Sequence, residues 1–269
     1  MTARLLRWLV KGAAGLTLGS LALVVGYILI QGVPHLRPEL FALEYTTQNV
    51  SMLPAIVNTL IMTAVSLAIA LPLGVFAAVY LVEYARRGSR LVALIRITAE
   101  TLAGIPSIIY GLFGLLFFVT ALKMGFSILA GALTLALMIL PLVLRTTEEA
   151  LQSVPDLYRE GAFGLGAGRL RTVFRIVLPS AAPGILAGVI LAVGRIVGET
   201  AALLYTAGTV ANFPKGLLSS GRTLSVHMFA LASEGLYVDQ AYATAVVLLI
   251  VVFGINALSG AIAKRIAKG

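Results

Sequence analysis

Charged side chains inside apolar stretches are the residues of this sequence whose types and spacing could do chemistry. Arg195 and Glu199 lie four residues apart in one such stretch, so helical spacing would place them on one face. If Pro183 begins the span, Arg195 lies twelve residues further along, which is about 18 Å into a hydrocarbon core of about 30 Å. Its guanidinium would offer a permanent charge and a fork of donors that suits an oxyanion such as phosphate. Glu199 would hold that guanidinium and moderate its charge, and Thr200 beside it is included in the candidate pathway.

The same charges have a simpler interpretation, in which ion pairs only hold helices together. A pair at this spacing can stabilise a bundle without touching a substrate, and the two interpretations are compatible. Arg96 and Glu100 repeat the spacing in an earlier apolar stretch, nearer to one of its ends. Because Arg96 could extend its charge to the membrane surface, this second pair is assigned either a secondary pathway role or packing alone.

Other kinds of chemistry have no matching residues in the sequence. The glycines between Gly164 and Gly168 lack the lysine and hydroxyl residue of a phosphate-binding loop and follow no strand. The chain has no cysteine, and His35 and His227 stand apart, so no metal site is expected. No nucleophile and base occur together either. We therefore expect a chain that is not an enzyme and binds no cofactor itself.

Composition indicates an integral membrane protein built from helices. Of 269 residues, 59% are hydrophobic and only 12% are charged, whereas soluble domains are about a quarter charged. Mean hydropathy is +1.01. The net charge of +9 does not indicate nucleic-acid binding, because the basic residues lie at the ends of apolar runs.

Six apolar runs are long enough to cross a bilayer as helices. Pro72 is expected to kink the second run, and Pro106 interrupts the third. The first run is interpreted as a retained anchor, since no small-residue cleavage site follows it. Residues 1–53 would form this anchor and an external loop, and residues 54–269 the core. The predicted spans are 12–30, 55–82, 91–119, 126–144, 183–204 and 241–263.

The distribution of basic residues predicts the orientation. With the N-terminus inside, fourteen of the twenty lysines and arginines fall in inside segments and four in outside loops. Inside loops of membrane proteins carry this excess. Both termini are therefore expected in the cytoplasm, in a multi-pass protein of the cell inner membrane.

One long polar stretch, residues 148–180, interrupts the apolar sequence and predicts a helix-turn-helix. Ser153 is expected to cap the first helix, and the glycines from Gly166 to Gly168 permit a sharp turn. Residues 169–177 would form a second short helix that Pro179 ends. Such a projection could be an ordinary solvated loop or a rigid knob that docks on another protein.

The spacing within this stretch resembles the cytoplasmic signature of ABC-transporter permeases, EAA-x3-G-x9-I-x-LP. One position departs, because Gly161 stands where the family usually has alanine. The resemblance implies the MetI-like permease fold with a cytoplasmic coupling helix that docks on an ATPase, and ATP and magnesium would be bound by that partner chain. The coupling residues it implies are Glu160, Gly161, Ala162, Gly166, Ile176, Leu178 and Pro179.

Two further segments resemble the permeases of the high-affinity phosphate importer. These are residues 104–114, GIPSIIYGLFG, and residues 194–201, GRIVGETA. The second is closer to the PstA than to the PstC type of subunit, although Ala202 replaces a proline often found next. The resemblance implies transport of inorganic phosphate into the cytoplasm with a homologous PstC-like permease, two ATPase subunits and an external phosphate-binding protein. Alternatives are the same machinery for sulfate or molybdate, a secondary transporter without an ATPase, or a membrane scaffold that transports nothing.

Overall fold

The computed structural model describes the backbone of residues 2–86 and 88–266, and the regular structure in those ranges is entirely helical. Two short 3₁₀ turns, Val33–His35 and Pro38–Phe41, follow the first helix. The helices are α1 Thr2–Gly32, α2 Leu53–Val79, α3 Arg90–Ala103, α4 Ser107–Gly114, α5 Ile128–Gln152, α6 Asp156–Gly164, α7 Arg169–Thr172, α8 Leu178–Val197, α9 Ala201–Leu204, α10 Leu224–Glu234 and α11 Val238–Ile266.

Five helical segments in the described part of the chain are long and apolar enough to cross a membrane, and a bent pair makes a sixth. The prediction of an all-helical membrane protein with six spans is confirmed. The five segments are Leu6–His35, Leu53–Tyr84, Ile128–Gln152, Arg169–Val197 and Val238–Ala261.

The third span is broken at Pro106, the residue that was predicted to interrupt it. Helix α3 and the helical segment Ser107–Ala121 meet at an angle of 100°. Pro106 has no N–H to continue a helix and excludes helical geometry from the residue before it. Gly104 and Ile105 close a last turn on α3, and α4 starts afresh after Pro106.

Helix α5 is the centre of the bundle and packs between α2 and α8. Small residues let the backbones of α5 and α8 approach closely. A Cβ atom added to Gly184 would lie 2.7 Å from the Ala150 Cβ, and one added to Gly188 would meet Thr146. These two contacts fix an antiparallel register, in which each step forward along α8 is a step back along α5. Further along α8, Arg195 lines one cavity with Pro141, Leu142 and Arg145 of α5.

The polar stretch after α5 differs from its predicted form at both ends. The Ser153 hydroxyl donates to the Ala150 carbonyl at 2.8 Å, so Ser153 closes α5 and does not cap α6, which begins after Pro155. Pro179 does not end a helix, because Arg169–Val197 is one continuous helical segment. A π-helical turn at Val173–Val177 widens the backbone just before the proline, which is where a missing donor is accommodated.

Candidate functional site

A charged cavity of about 610 Å³ lies between α3, α5 and the end of α8. Arginines reach it from all three helices. It lies along the second half of α5, from Pro141 to Gln152, so charged groups line that end of the bundle. Its charged lining residues are Arg96, Glu100, Arg145, Glu148, Glu149 and Arg195.

Two of the cavity arginines have carboxylate partners, and the expected Arg96–Glu100 pair is not formed. Arg96 contacts the buried Glu148 of α5 instead. The Arg145 Nε atom donates to Glu149 Oε1 at 3.0 Å. The partner of Arg96 comes from another helix because Glu148 is buried and its charge must be compensated there.

Arg195 has no carboxylate within 4.0 Å among the described residues. The prediction that Glu199 holds Arg195 was wrong, because α8 ends at Val197 and Glu199 no longer shares its face. Glu199 Oε1 accepts the Ala202 N–H at 3.0 Å, and the Ser225 hydroxyl donates to the Glu199 carbonyl at 2.6 Å. A carboxylate there satisfies an otherwise free donor at the start of α9. Glu199 is therefore a structural cap in this geometry.

Thr200 lies apart from Arg195. It lines a separate, mainly apolar cavity of about 720 Å³, together with Leu204, Phe229 and Tyr242. The structure thus separates the three residues that the sequence grouped as one pathway, and only Arg195 reaches the charged cavity.

The predicted turn at Gly166 is present and has a defined geometry. Gly166 has a φ of +78°. Its N–H donates to the Phe163 carbonyl at 2.9 Å, and the Ala167 N–H donates to the Ala162 carbonyl at 3.0 Å. These two bonds form a Schellman motif, which favours glycine at the left-handed position. The spacing of Ala162 and Gly166 is therefore that of a helix end and its cap.

The surface around this turn presents large apolar side chains, and we call it the α6 knob. Leu165 at its tip is 92% exposed, and Leu157 and Leu170 are also exposed. Glu160 and Gly161 lie on the exposed side of α6, whereas Ala162 is buried. On the following helix Ile176 and Leu178 are half-buried and Pro179 is exposed. The exposed apolar tip is typical of a surface that another protein covers.

Sequence reasoning missed Arg159, which fixes the α6 knob to the bundle. Its Nη2 atom donates to Glu83 Oε1 at 2.7 Å and to the Leu151 carbonyl at 3.0 Å. Its Nη1 atom donates to the Val154 carbonyl at 2.8 Å. The one local signal was Asp156 three residues earlier, which also contacts Arg159. Nothing in the sequence indicated Glu83.

The described bundle and its projecting helix match a known family. The profile of the binding-protein-dependent transport system inner membrane component family matches residues 70–269. The chain belongs to this family. Members of this family are transport components of the inner membrane, so the multi-pass membrane location follows.

Individual relatives and a solved structure agree with this family membership. The chain is 36% identical over 241 residues to the probable ABC transporter permease protein YqgI of Bacillus subtilis, covering 81% of this chain and 80% of that protein. It is 38% identical over 227 residues to the phosphate transport system permease protein PstA of Pasteurella multocida, covering 76% and 80%. A bacterial ABC transporter that imports alginate has a similar fold, with a TM-score of 0.71, 16% identity and 96% of each chain covered.

Proposed function

We propose that this chain is a membrane-spanning permease subunit of an ATP-driven importer that moves inorganic phosphate into the cytoplasm. The observation that carries the substrate is the 38% identity over 227 residues to a PstA phosphate permease. The unpaired Arg195 supplies the matching chemistry in this chain.

Arg195 suits an anion that must bind and then leave. An unpaired charge at the centre of a bilayer costs at least about 2.5 kcal/mol, so it persists where a water-filled path or an anion stabilises it. Arg96 and Arg145 are each compensated by a carboxylate, so Arg195 and Glu100 are the charged lining residues without an ion-pair partner among the described residues. A path with one unpaired arginine attracts phosphate, and the Glu100 carboxylate in the same lining limits how tightly the anion is held.

The α6 knob is proposed to dock on a partner ATPase, because its apolar tip is exposed and Arg159 holds it rigidly. The partner would bind ATP and magnesium, whereas this chain would bind no cofactor. A homologous PstC-like permease would cover the charged cavity, a second ATPase subunit would serve that permease, and an external phosphate-binding protein would deliver the substrate. Lipid would surround the remaining apolar faces, and no nucleic acid takes part.

The same proposal places both termini in the cytoplasm, with the α6 knob on that side. The basic residues support this orientation, and the chain has no native cysteine to interfere with labelling. A cysteine at Leu165 is expected to react with an impermeant maleimide only from the cytoplasmic side, and one at Lys215 only from outside. The reverse pattern would overturn the orientation.

The test of the function is phosphate uptake into vesicles that carry the assembled complex with Arg195→Ala. Uptake is expected to fall at least about tenfold, while ATPase subunits still co-purify. Arg195→Lys should retain part of the uptake, and Arg90→Ala, which removes an exposed charge outside the cavity, should retain all of it. Unchanged uptake in Arg195→Ala would reject the anion path. Uptake that persists without ATPase activity would reject the ATP-driven importer.

A further inference from the structure

A second polar cavity, of about 810 Å³, opens beside the α6 knob. It lies between the end of the α2 segment, the start of α3 and the start of α7. Its charged lining has four arginines and two acidic residues: Glu83, Arg86, Arg96, Asp156, Arg159 and Arg169.

Both acidic residues of this cavity already form ion pairs. Glu83 and Asp156 both contact Arg159, and Arg96 contacts Glu148. In the described ranges, Arg86 and Arg169 are the two lining arginines that have no carboxylate within 4.0 Å. The cavity therefore has two positive charges that its own acidic groups do not neutralise.

Arg169 is held in place by an aromatic ring. Its guanidinium carbon lies 5.1 Å from the centre of the Tyr84 ring, a cation–π contact that keeps its donors ordered. The helical segment that starts at Arg169 has neither a side-chain cap nor an acidic residue in its first turn. Its free N–H groups add to the positive potential that the arginines create.

The lining of the cavity also includes the apolar residues Leu81, Val82 and Val92. Arginine forks beside apolar side chains at the end of membrane-spanning helices are typical of sites for phosphate headgroups. At about 810 Å³, the cavity has room for a phosphate group and not only for a carboxylate side chain. We propose that Arg86 and Arg169 bind a phosphate group here, supplied by an anionic phospholipid or by free inorganic phosphate. This site does not depend on what the chain transports.

The experiment measures binding to the full chain, purified with its partner subunits, in two separate arms. One arm counts phosphatidylglycerol retained in discs of phosphatidylcholine and phosphatidylglycerol by native mass spectrometry. The other measures radiolabelled inorganic phosphate in discs of phosphatidylcholine alone, with Arg195→Ala in every sample so that the proposed transport path does not contribute. Each arm compares Arg86→Gln/Arg169→Gln with Arg90→Gln/Arg171→Gln, which removes the same charge from neighbouring exposed positions outside the cavity.

The cavity variant is expected to lose about tenfold in affinity for each arginine removed, and the control variant is expected to bind as the parent does. A loss in the lipid arm assigns the site to a headgroup, and a loss in the phosphate arm assigns it to the free ion. If neither arm changes, or if the control loses as much, the site is rejected. Loss of ATPase assembly with both arms unchanged also rejects it and makes these arginines a protein contact. Should the double variant not assemble, each single variant is measured against the same tenfold expectation.

Discussion

Partly buried Arg159 of α6 and buried Glu83 at the end of the second span form an ion pair across 76 residues of sequence, with Nη2 and Oε1 2.7 Å apart. The same guanidinium donates hydrogen bonds to two backbone carbonyls at the end of α5, those of Leu151 and Val154. One side chain therefore connects α6 to the ends of both the second span and α5.

Removing Arg159 should release the α6 knob from the bundle. Arg159→Ala leaves Glu83 buried and uncompensated, which costs about 3 kcal/mol. We expect faster proteolysis between residues 153 and 168 and weaker coupling of ATP hydrolysis to uptake, with phosphate binding retained. Limited proteolysis and ATP-dependent uptake measure the two effects.

Two further variants make the Arg159 prediction specific. Arg171→Ala removes an exposed arginine on the following helix and should leave both measurements unchanged. Glu83→Gln combined with Arg159→Met should recover part of the loss, because no buried charge then remains. A knob that resists proteolysis equally in Arg159→Ala would contradict the anchoring role.

The glycines of the α6 knob should respond oppositely to alanine. Gly166→Ala places a Cβ at a φ of +78°, which costs about 1–2 kcal/mol. Gly161→Ala meets no atom within 4 Å and gains up to about 1 kcal/mol of helix propensity. Gly166→Ala is therefore expected to lower uptake and to make proteolysis of the knob faster. Gly161→Ala is expected to leave both unchanged, or to raise uptake and slow proteolysis. Equal effects of the two substitutions would reject the assigned turn geometry.

Sequence predicted the features of this chain that depend on local chemistry. Long apolar runs gave the spans, because length and hydropathy alone decide whether a helix can cross a bilayer. The turn at Gly166 was also predictable, since a left-handed helix end requires glycine. The end of α8 was missed, although Gly198 before Glu199 is a recognisable stop signal.

Pairings between distant residues were not predictable from the sequence. Arg96 has a candidate partner four residues away, yet it pairs with Glu148 because that carboxylate is buried beside it. Local spacing describes an isolated helix, whereas packing decides which charges meet in a bundle. For the same reason the unpaired state of Arg195 emerged only once the structure placed Glu199 beyond the end of α8.

The buried histidine of α10 should make stability sensitive to acid. Burial, and then the nearby Arg222, lower the pKa of His227 to about 3. In the unfolded chain it is about 6.5, so between these values the unfolded state binds the extra proton. Stability should hold above pH 6.5 and fall steadily as the pH is lowered through this window.

Thermal unfolding of the purified chain between pH 7 and pH 5 measures this effect, because carboxylates titrate mostly below that range. His227→Gln should flatten the dependence. His35→Gln, at the only other histidine, should keep it. The same slope in His227→Gln as in the parent would assign the acid sensitivity to other groups.

The close contact of α5 and α8 should not tolerate a larger residue at Gly188. A Cβ there would overlap the Thr146 side chain, and overpacking of this kind costs about 1–3 kcal/mol. Gly188→Ala is therefore expected to lower the unfolding temperature and the yield of assembled complex. Gly194→Ala is the matched control, because it lies on the same helix and its Cβ would meet nothing within 4 Å. Since the obstacle is one side chain, Gly188→Ala should cost less stability in a Thr146→Gly background than in the parent, with Thr146→Gly alone as the reference because an interior glycine itself costs about 1 kcal/mol. An equal cost in both backgrounds would mean that the helices do not meet in this register.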